Sequence, residues 1–129
     1  MTLVTTKVLI IDDSIIIGNR MKEMMEGCSS VYLLDQAFNI EDGLKVFETE
    51  NPGITILDIG FPGNSGMFLI PLIKKLNNSA KVIMFTNYSH KAYQTRCYEM
   101  GADEFFDKST ESELLKEYLE NYSSQQIPA

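Results

Sequence analysis

Apolar positions along the chain follow two alternating rhythms. Short apolar runs at 7–11, 31–37, 54–58, 81–86 and 103–107 predict five strands. Between them apolar residues recur at helical spacing. Ile17, Met21 and Met24 mark one face, and Ile40, Leu44 and Phe47 a second. Leu69, Leu72, Ile73 and Leu76 form a third stripe, Ala92, Tyr93, Cys97 and Met100 a fourth. Leu114, Leu115, Tyr118, Leu119 and Tyr122 form the last. Punctuation agrees with this division: Asp13-Ser14 and Asn39 stand where helix caps belong, Gly27 and Gly101 where helices stop, and Asn51-Pro52-Gly53 marks a turn. Pro71 falls inside the third helical stretch, which requires it to lie near that helix's start. Residues 123–126, Ser-Ser-Gln-Gln, read as a frayed tail.

Five strand–helix units in a row predict an α/β fold, a parallel sheet with helices on both faces and right-handed crossovers. Such sheets bind ligands beyond the carboxyl ends of their strands. The chain concentrates its chemistry there: Asp12-Asp13 after the first strand, Asp58 at the end of the third, Thr86 at the end of the fourth and Lys108 after the fifth. Taken singly, each has an ordinary reading as a cap, a turn former, a β-former or a solvated lysine. Together, at one edge, they point to a site. Like charges about 4 Å apart repel by roughly 4 kcal/mol at an effective dielectric of 20. Such acids either hold a proton or take up a hard divalent cation with oxygen ligands, and Mg²⁺ suits few carboxylates, several waters and a phosphate.

Composition narrows the class. At 129 residues the chain has room for one core. Eleven Lys and Arg against 18 Asp and Glu give a net charge of −7, which disfavours direct contact with nucleic acid or anionic lipid. The N-terminus lacks a signal-peptide pattern and no apolar run approaches membrane-spanning length. Cys28 and Cys97, far apart and outside any CxxC, read as free thiols of a cytoplasmic protein.

Four segments carry a family resemblance: Asp12-Asp13-Ser14; Asp58 through Gly66, with Asp58, Pro62 and Gly66 in a D-x-x-x-P-x-x-x-G run; Val82 through Thr86; and Gly101 through Lys108. Together they resemble the receiver domain of bacterial two-component response regulators, of the chemotaxis-regulator type. The resemblance covers about residues 7–122. It implies a flavodoxin-like, doubly wound five-stranded parallel sheet in the order 2-1-3-4-5 with five helices, 1–129 forming one receiver domain with 123–129 as its tail. It further implies that Asp58 accepts a phosphoryl group from a histidine kinase or a histidine phosphotransfer protein. Mg²⁺ would be held by Asp12, Asp13, Asp58 and the backbone carbonyl of Gly60. Thr86 and Lys108 would bind phosphoryl oxygens, and Phe105 would be the aromatic that moves inward with Thr86. Such a domain is a signalling switch rather than an enzyme, catalysing only its own phosphorylation and dephosphorylation. Its readout would be the face of helix four, strand five and helix five, which carries Tyr88, Tyr93, Phe105 and Tyr118. That face would engage a downstream protein or effector domain, or a second copy as a phosphorylation-dependent homodimer.

Three positions depart from the family pattern. Gly60 offers no side chain to a phosphoryl group or an attacking water. Asn87 follows Thr86 where a small residue is usual. Ser109 replaces the proline that commonly follows the lysine through a cis bond. Since a non-proline cis bond costs about 3 kcal/mol, Lys108–Ser109 is predicted to be trans. A haloacid-dehalogenase-type phosphatase would need an acid at Gly60, and a flavodoxin would need hydroxyls and free amides at Asp12-Asp13. A nucleophile elbow at Gly63 through Met67 lacks its final glycine. The remaining alternative is a pseudo-receiver, the same fold used as a binding module without phosphorylation. No further patterned domain follows residue 122, so the expectation is a stand-alone receiver or the receiver portion of a longer protein.

Overall fold

The computed structural model describes residues 5–61 and 64–122. Its main sheet contains β1 (Thr6–Ile11), β2 (Val31–Ala37), β3 (Ile54–Leu57), β4 (Lys81–Thr86) and β5 (Glu104–Asp107). All neighbouring strands are parallel, in the order β2-β1-β3-β4-β5. The helices are α1 (Ile15–Glu26), α2 (Ile40–Glu50), α3 (Leu69–Leu76), α4 (Lys91–Met100) and α5 (Ser112–Asn121). The flavodoxin-like expectation and its strand order therefore hold.

Because successive side chains on a strand point to opposite faces, β1 divides its residues between two cores. Leu9 and Ile11 join Phe47 of α2, Leu69, Ile70 and Ile73 of α3 and Cys97 of α4. Val8 and Ile10 join Met21 and Met25 of α1 and Leu115 and Leu119 of α5. Two helices thus cover one face and three the other, which explains why the central strands are predominantly apolar.

Local chemistry sets the helix ends. The Ser14 hydroxyl accepts the amide of Ile17 at 3.2 Å and starts α1, and the Asn39 side chain accepts that of Asp42 at 2.8 Å and starts α2. Pro71 is the third residue of α3, where its missing N–H would have had no helical partner. A short 3₁₀ turn, Gly66–Phe68, leads into that helix. Gly101 ends α4 at φ 115°, a backbone region that disfavours a Cβ. Lys74 of α3 reaches the carbonyl of Ala80 and the carboxylate of Asp103, each at 2.7 Å. The same Asp103 oxygen accepts the amide of Val82, so one charged group anchors a helix to the entrances of β4 and β5.

Several expectations shift. Leu72 and Leu76, read as part of the inward stripe of α3, are 46% and 52% exposed, while Ile70 is fully buried. A helix of eight residues offers two adjacent apolar stripes, and the one led by Leu69, Ile70 and Ile73 meets the sheet. Leu114 is likewise exposed on α5. On α4 Ala92 and Tyr93 are exposed, Met100 is half-buried and Cys97 alone is buried. The segment after β3, read as a loop, contains a two-residue antiparallel ribbon, Gly60–Phe61 with Asn64–Ser65. Pro62, Gly63 and the 123–126 tail lie outside the described residues. Cys28 and Cys97 are free thiols, as expected. Among the described residues no helix is long and apolar enough to cross a membrane.

Replacing Gly101 by alanine forces a Cβ into the left-handed region at the α4 terminus. Urea unfolding of Gly101→Ala is expected to show a stability loss of about 1–2 kcal/mol with an unchanged m value.

Candidate functional site

The parallel register builds the site. Ile11 pairs with Leu57, so the next residues, Asp12 and Asp58, emerge abreast at the carboxyl edge of the sheet. Backbone bonds hold both there: the Asp12 amide donates to the Ala37 carbonyl at 3.0 Å and the Asp58 amide to the Ile11 carbonyl at 3.1 Å. Asp12 is 2% and Asp58 7% exposed, whereas Asp13 faces solvent. One carboxylate oxygen from each of the three lies within 4.8 Å of the others. Three hard anionic donors so gathered are a fitting set for a small divalent cation with open positions for water or phosphate.

Lys108 comes from the far side of the sheet. Thr86 is in register with Asp107, and the Lys108 amide donates to the Thr86 carbonyl at 3.0 Å. From there its side chain crosses the end of β4. The ammonium lies 2.7 Å from Oδ2 of Asp12 and 2.9 Å from Oδ2 of Asp58. One cation faces three carboxylates, which leaves two negative charges uncompensated. Burial pushes the Asp12 carboxyl above its ordinary value, against the lowering effect of Lys108, and the charge of Asp58 adds in the same direction. Burial disfavours the Lys108 ammonium, but its bonds to Asp12 and Asp58 outweigh that and hold it above the ordinary lysine value.

Thr86 is fully buried at the end of β4, with its Oγ1 accepting the Tyr88 amide at 3.2 Å. An accepting hydroxyl keeps its proton to donate. Phe105 already points inward and belongs to the cluster that contains Leu69, Ile70 and Cys97. Of the aromatics expected on the readout face, Tyr88 and Tyr93 are exposed and meet edge-on, with ring centroids 5.7 Å apart. Tyr118 is half-buried against Phe106 and Tyr122.

The three unusual positions acquire contacts. Gly60 lies under the ring of Tyr88: a Cβ at Gly60 would fall 2.5 Å from Cε2 and 3.3 Å from Cζ. Only a residue without a side chain lets that ring sit where it does. The Ser109 hydroxyl donates to the Asn87 side-chain oxygen at 3.0 Å, joining the loops after β4 and β5. Asn87 is exposed, and Lys108–Ser109 is trans as predicted. The turn after Lys108 is shaped by Asp107, whose Oδ1 accepts the amides of Ser109 and Thr110 at 2.7 and 3.2 Å. Gly66 lies against the Asp58 carbonyl, which a Cβ would overlap, and its amide donates to Ile59 at 2.8 Å. The glycine eight residues after Asp58 is thus required by close backbone approach.

Sequence reasoning did not single out Gln36. Its Nε2 donates to the carbonyls of both Asp12 and Ser14, each at 2.9 Å. A glutamine on an edge strand carries no pattern that signals this.

Comparison with known proteins agrees with the geometry. The family model for the response regulator receiver domain matches residues 8–120. The sensory transduction protein LytT of Bacillus cereus is 27% identical over 119 residues, covering 92% of this chain and 48% of LytT. A cyclic di-GMP phosphodiesterase of Thermotoga maritima is 34% identical over 113 residues, covering 84% of this chain and 28% of the phosphodiesterase. The chain thus spans about half the length of LytT and less of the phosphodiesterase. Among solved structures, a CheY-like response regulator receiver domain protein from Methanospirillum hungatei superposes with a TM-score of 0.81 at 25% identity, covering 95% of this chain and 96% of that one. The family match spans nearly the whole chain, and the chain belongs to the response regulator receiver domain family.

Proposed function

We propose that the chain is a phosphorylation-activated signalling switch in which Asp58 is the phosphoacceptor. The observation that carries this reading is the position of the Asp58 carboxylate: buried, paired with the Lys108 ammonium at 2.9 Å, and within 4.8 Å of ligand oxygens from Asp12 and Asp13. An Asp58 carboxylate oxygen attacks the phosphorus of a phosphohistidine. The new O–P bond forms as the N–P bond breaks, the electron pair returns to the imidazole, and an aspartyl phosphate results. The donor is a histidine kinase or a histidine phosphotransfer protein, partners with which receiver domains interact as a family.

Asp12, Asp13, Asp58 and the carbonyl of Gly60 are the residues that would hold Mg²⁺, which when bound neutralises charge on the reacting phosphoryl oxygens. Lys108 supplies a cation next to the acceptor. Thr86 has a hydroxyl proton to donate to a phosphoryl oxygen. Phosphorylation replaces the single carboxylate charge with a phosphoryl group carrying nearly two, a net gain of about one negative charge at a buried edge, and Thr86 and Lys108 are the groups there able to follow it. Their backbones are bonded to each other, so the loops after β4 and β5 move together. Helix α4 is held to the core through Cys97 and half-buried Met100, a thin anchorage that makes its displacement inexpensive. The face formed by α4, β5 and α5 then presents a changed surface to a downstream protein, an effector domain or a second copy, while Phe105 is already buried beneath it.

Incubation with acetyl phosphate and Mg²⁺ should add one phosphoryl group by intact-mass spectrometry, with no gain in Asp58→Asn or in EDTA. An unmodified, folded wild type would instead support a phosphorylation-independent binding module. Replacing Asp12 by asparagine should weaken Mg²⁺ binding at least about tenfold, since a lost charged ligand exceeds roughly 1.4 kcal/mol. Metal-free stability should move the other way. With its folded-state pKa raised, Asp12 favours the fold fully below 3.8, and that contribution is lost as pH rises through the folded value. In EDTA at pH 7, Asp12→Asn, which mimics the protonated acid, should therefore unfold at higher urea than wild type. The difference should close as pH falls toward 3.8.

A further inference from the structure

The proposed Mg²⁺ site depends on a loop of three residues, Asp12 to Ser14, whose exposed member is Asp13. Among the described residues no hydrogen bond or ion pair engages the Asp13 carboxylate, so its direction follows from its backbone. Besides the backbone bonds from the Asp12 amide to Ala37 and from the Gly18 amide to Ser14, three contacts with side chains define that backbone. Ser14 donates its amide to Asp12 Oδ1 at 2.9 Å. The carbonyls of Asp12 and Ser14, on either side of Asp13, both accept from Nε2 of Gln36 at 2.9 Å. A primary amide has two N–H donors, and here each finds one carbonyl. The orientation of the amide is unambiguous, because both partners are acceptors only.

Gln36 is well placed for this task. It stands on β2 in register with Ile10, two residues before Asp12, and the strand pairing keeps its Cα fixed relative to β1. Its carboxamide lies against Gly18, one turn into α1, where a Cβ would overlap the amide and reach 2.6 Å from Cδ. A glycine inside a helix sacrifices helix propensity, and here it makes room for a polar group that grips the start of the same helix.

We infer that Gln36 is a positioning residue for the metal site: its amide holds the Asp12–Ser14 backbone, and so aims the Asp13 carboxylate, for Mg²⁺. The inference rests on the reading of the acid cluster as a Mg²⁺ site. Groups that orient a metal's direct ligands typically contribute 10- to 100-fold in affinity. A purely structural glutamine would affect stability and leave affinity alone.

The test measures Mg²⁺ binding by calorimetry and amide hydrogen exchange in EDTA. Gln36→Met keeps the length and loses the donors, and Ile54→Val, in the buried cluster beneath α1 and α5, serves as a destabilised control. Gln36→Met should raise the Mg²⁺ dissociation constant about tenfold or more and speed exchange at Asp13 and Ser14 in metal-free protein, whereas Ile54→Val stays within about twofold on both. Gly18→Ala should weaken Mg²⁺ binding in the wild-type background and have no effect once Gln36 is alanine, a coupling that decides the matter should Gln36→Met fail to fold. Equal Mg²⁺ affinity in wild type and folded Gln36→Met, or additive effects of the Gly18 and Gln36 changes, would overturn the inference. A wild type that takes up no Mg²⁺ would sink the reading of the site instead, and exchange at Asp13 and Ser14 would then judge the role of Gln36 alone.

Discussion

Two buried aspartates forced side by side by strand register are the constraint around which the rest of this molecule is arranged. Ile11 and Leu57 pair across parallel strands, and the residues that follow have nowhere to go but the same corner. The backbone of each acid is fixed there, because its amide is bonded to the end of the neighbouring strand. The repulsion is met by Lys108, which spans both with contacts of 2.7 and 2.9 Å. That lysine is held by its own amide bond to Thr86 and by a turn built on Asp107. The charge on one corner of the sheet is therefore tied to the backbone of β1, β3, β4 and β5 at once, so a further change of charge there is felt by all four.

The positions where the chain departs from its family's pattern are not independent. Asn87 and Ser109 lie in different loops and bond to each other. Gly60 and Tyr88 meet next to Asp58, and the absence of a side chain at one admits the ring of the other. These pairs join the loops after β3, β4 and β5 to one another.

Burial is distributed unevenly over the fold. The central strands and the two clusters they feed are buried almost completely, and Lys74 pins α3 to the strand entrances, at the edge of the sheet away from the acids. Helix α4 has only one buried side chain, and exposed Tyr88 and Tyr93 pack on each other above it. The part with the thinnest hold on the core is thus the part next to the fourth and fifth strand ends. A cooperative core with a lightly anchored neighbour suits the proposed switch, since the energy available from one added charge is small against that of unfolding.

Alternating apolar runs and helical stripes, with their caps, determined the order of elements and the parallel sheet, because burial on both faces demands apolar strands and each crossover demands a helix. The carboxyl-edge rule then named Asp12, Asp13, Asp58, Thr86 and Lys108 before any coordinates, since a parallel sheet leaves one edge at which functional residues can gather. What the pattern did not determine was which of two adjacent stripes a short helix buries: Leu72 and Leu76 were read inward and face solvent, while Ile70 is buried. That choice depends on how α3 is seated against the sheet, which a local stripe of apolar residues does not specify. The amide of Gln36 beneath the acid loop, the seat of Tyr88 on Gly60 and the bond from Ser109 to Asn87 were decided by tertiary structure alone. Each joins residues far apart in the chain through a polar or steric contact that leaves no periodicity behind.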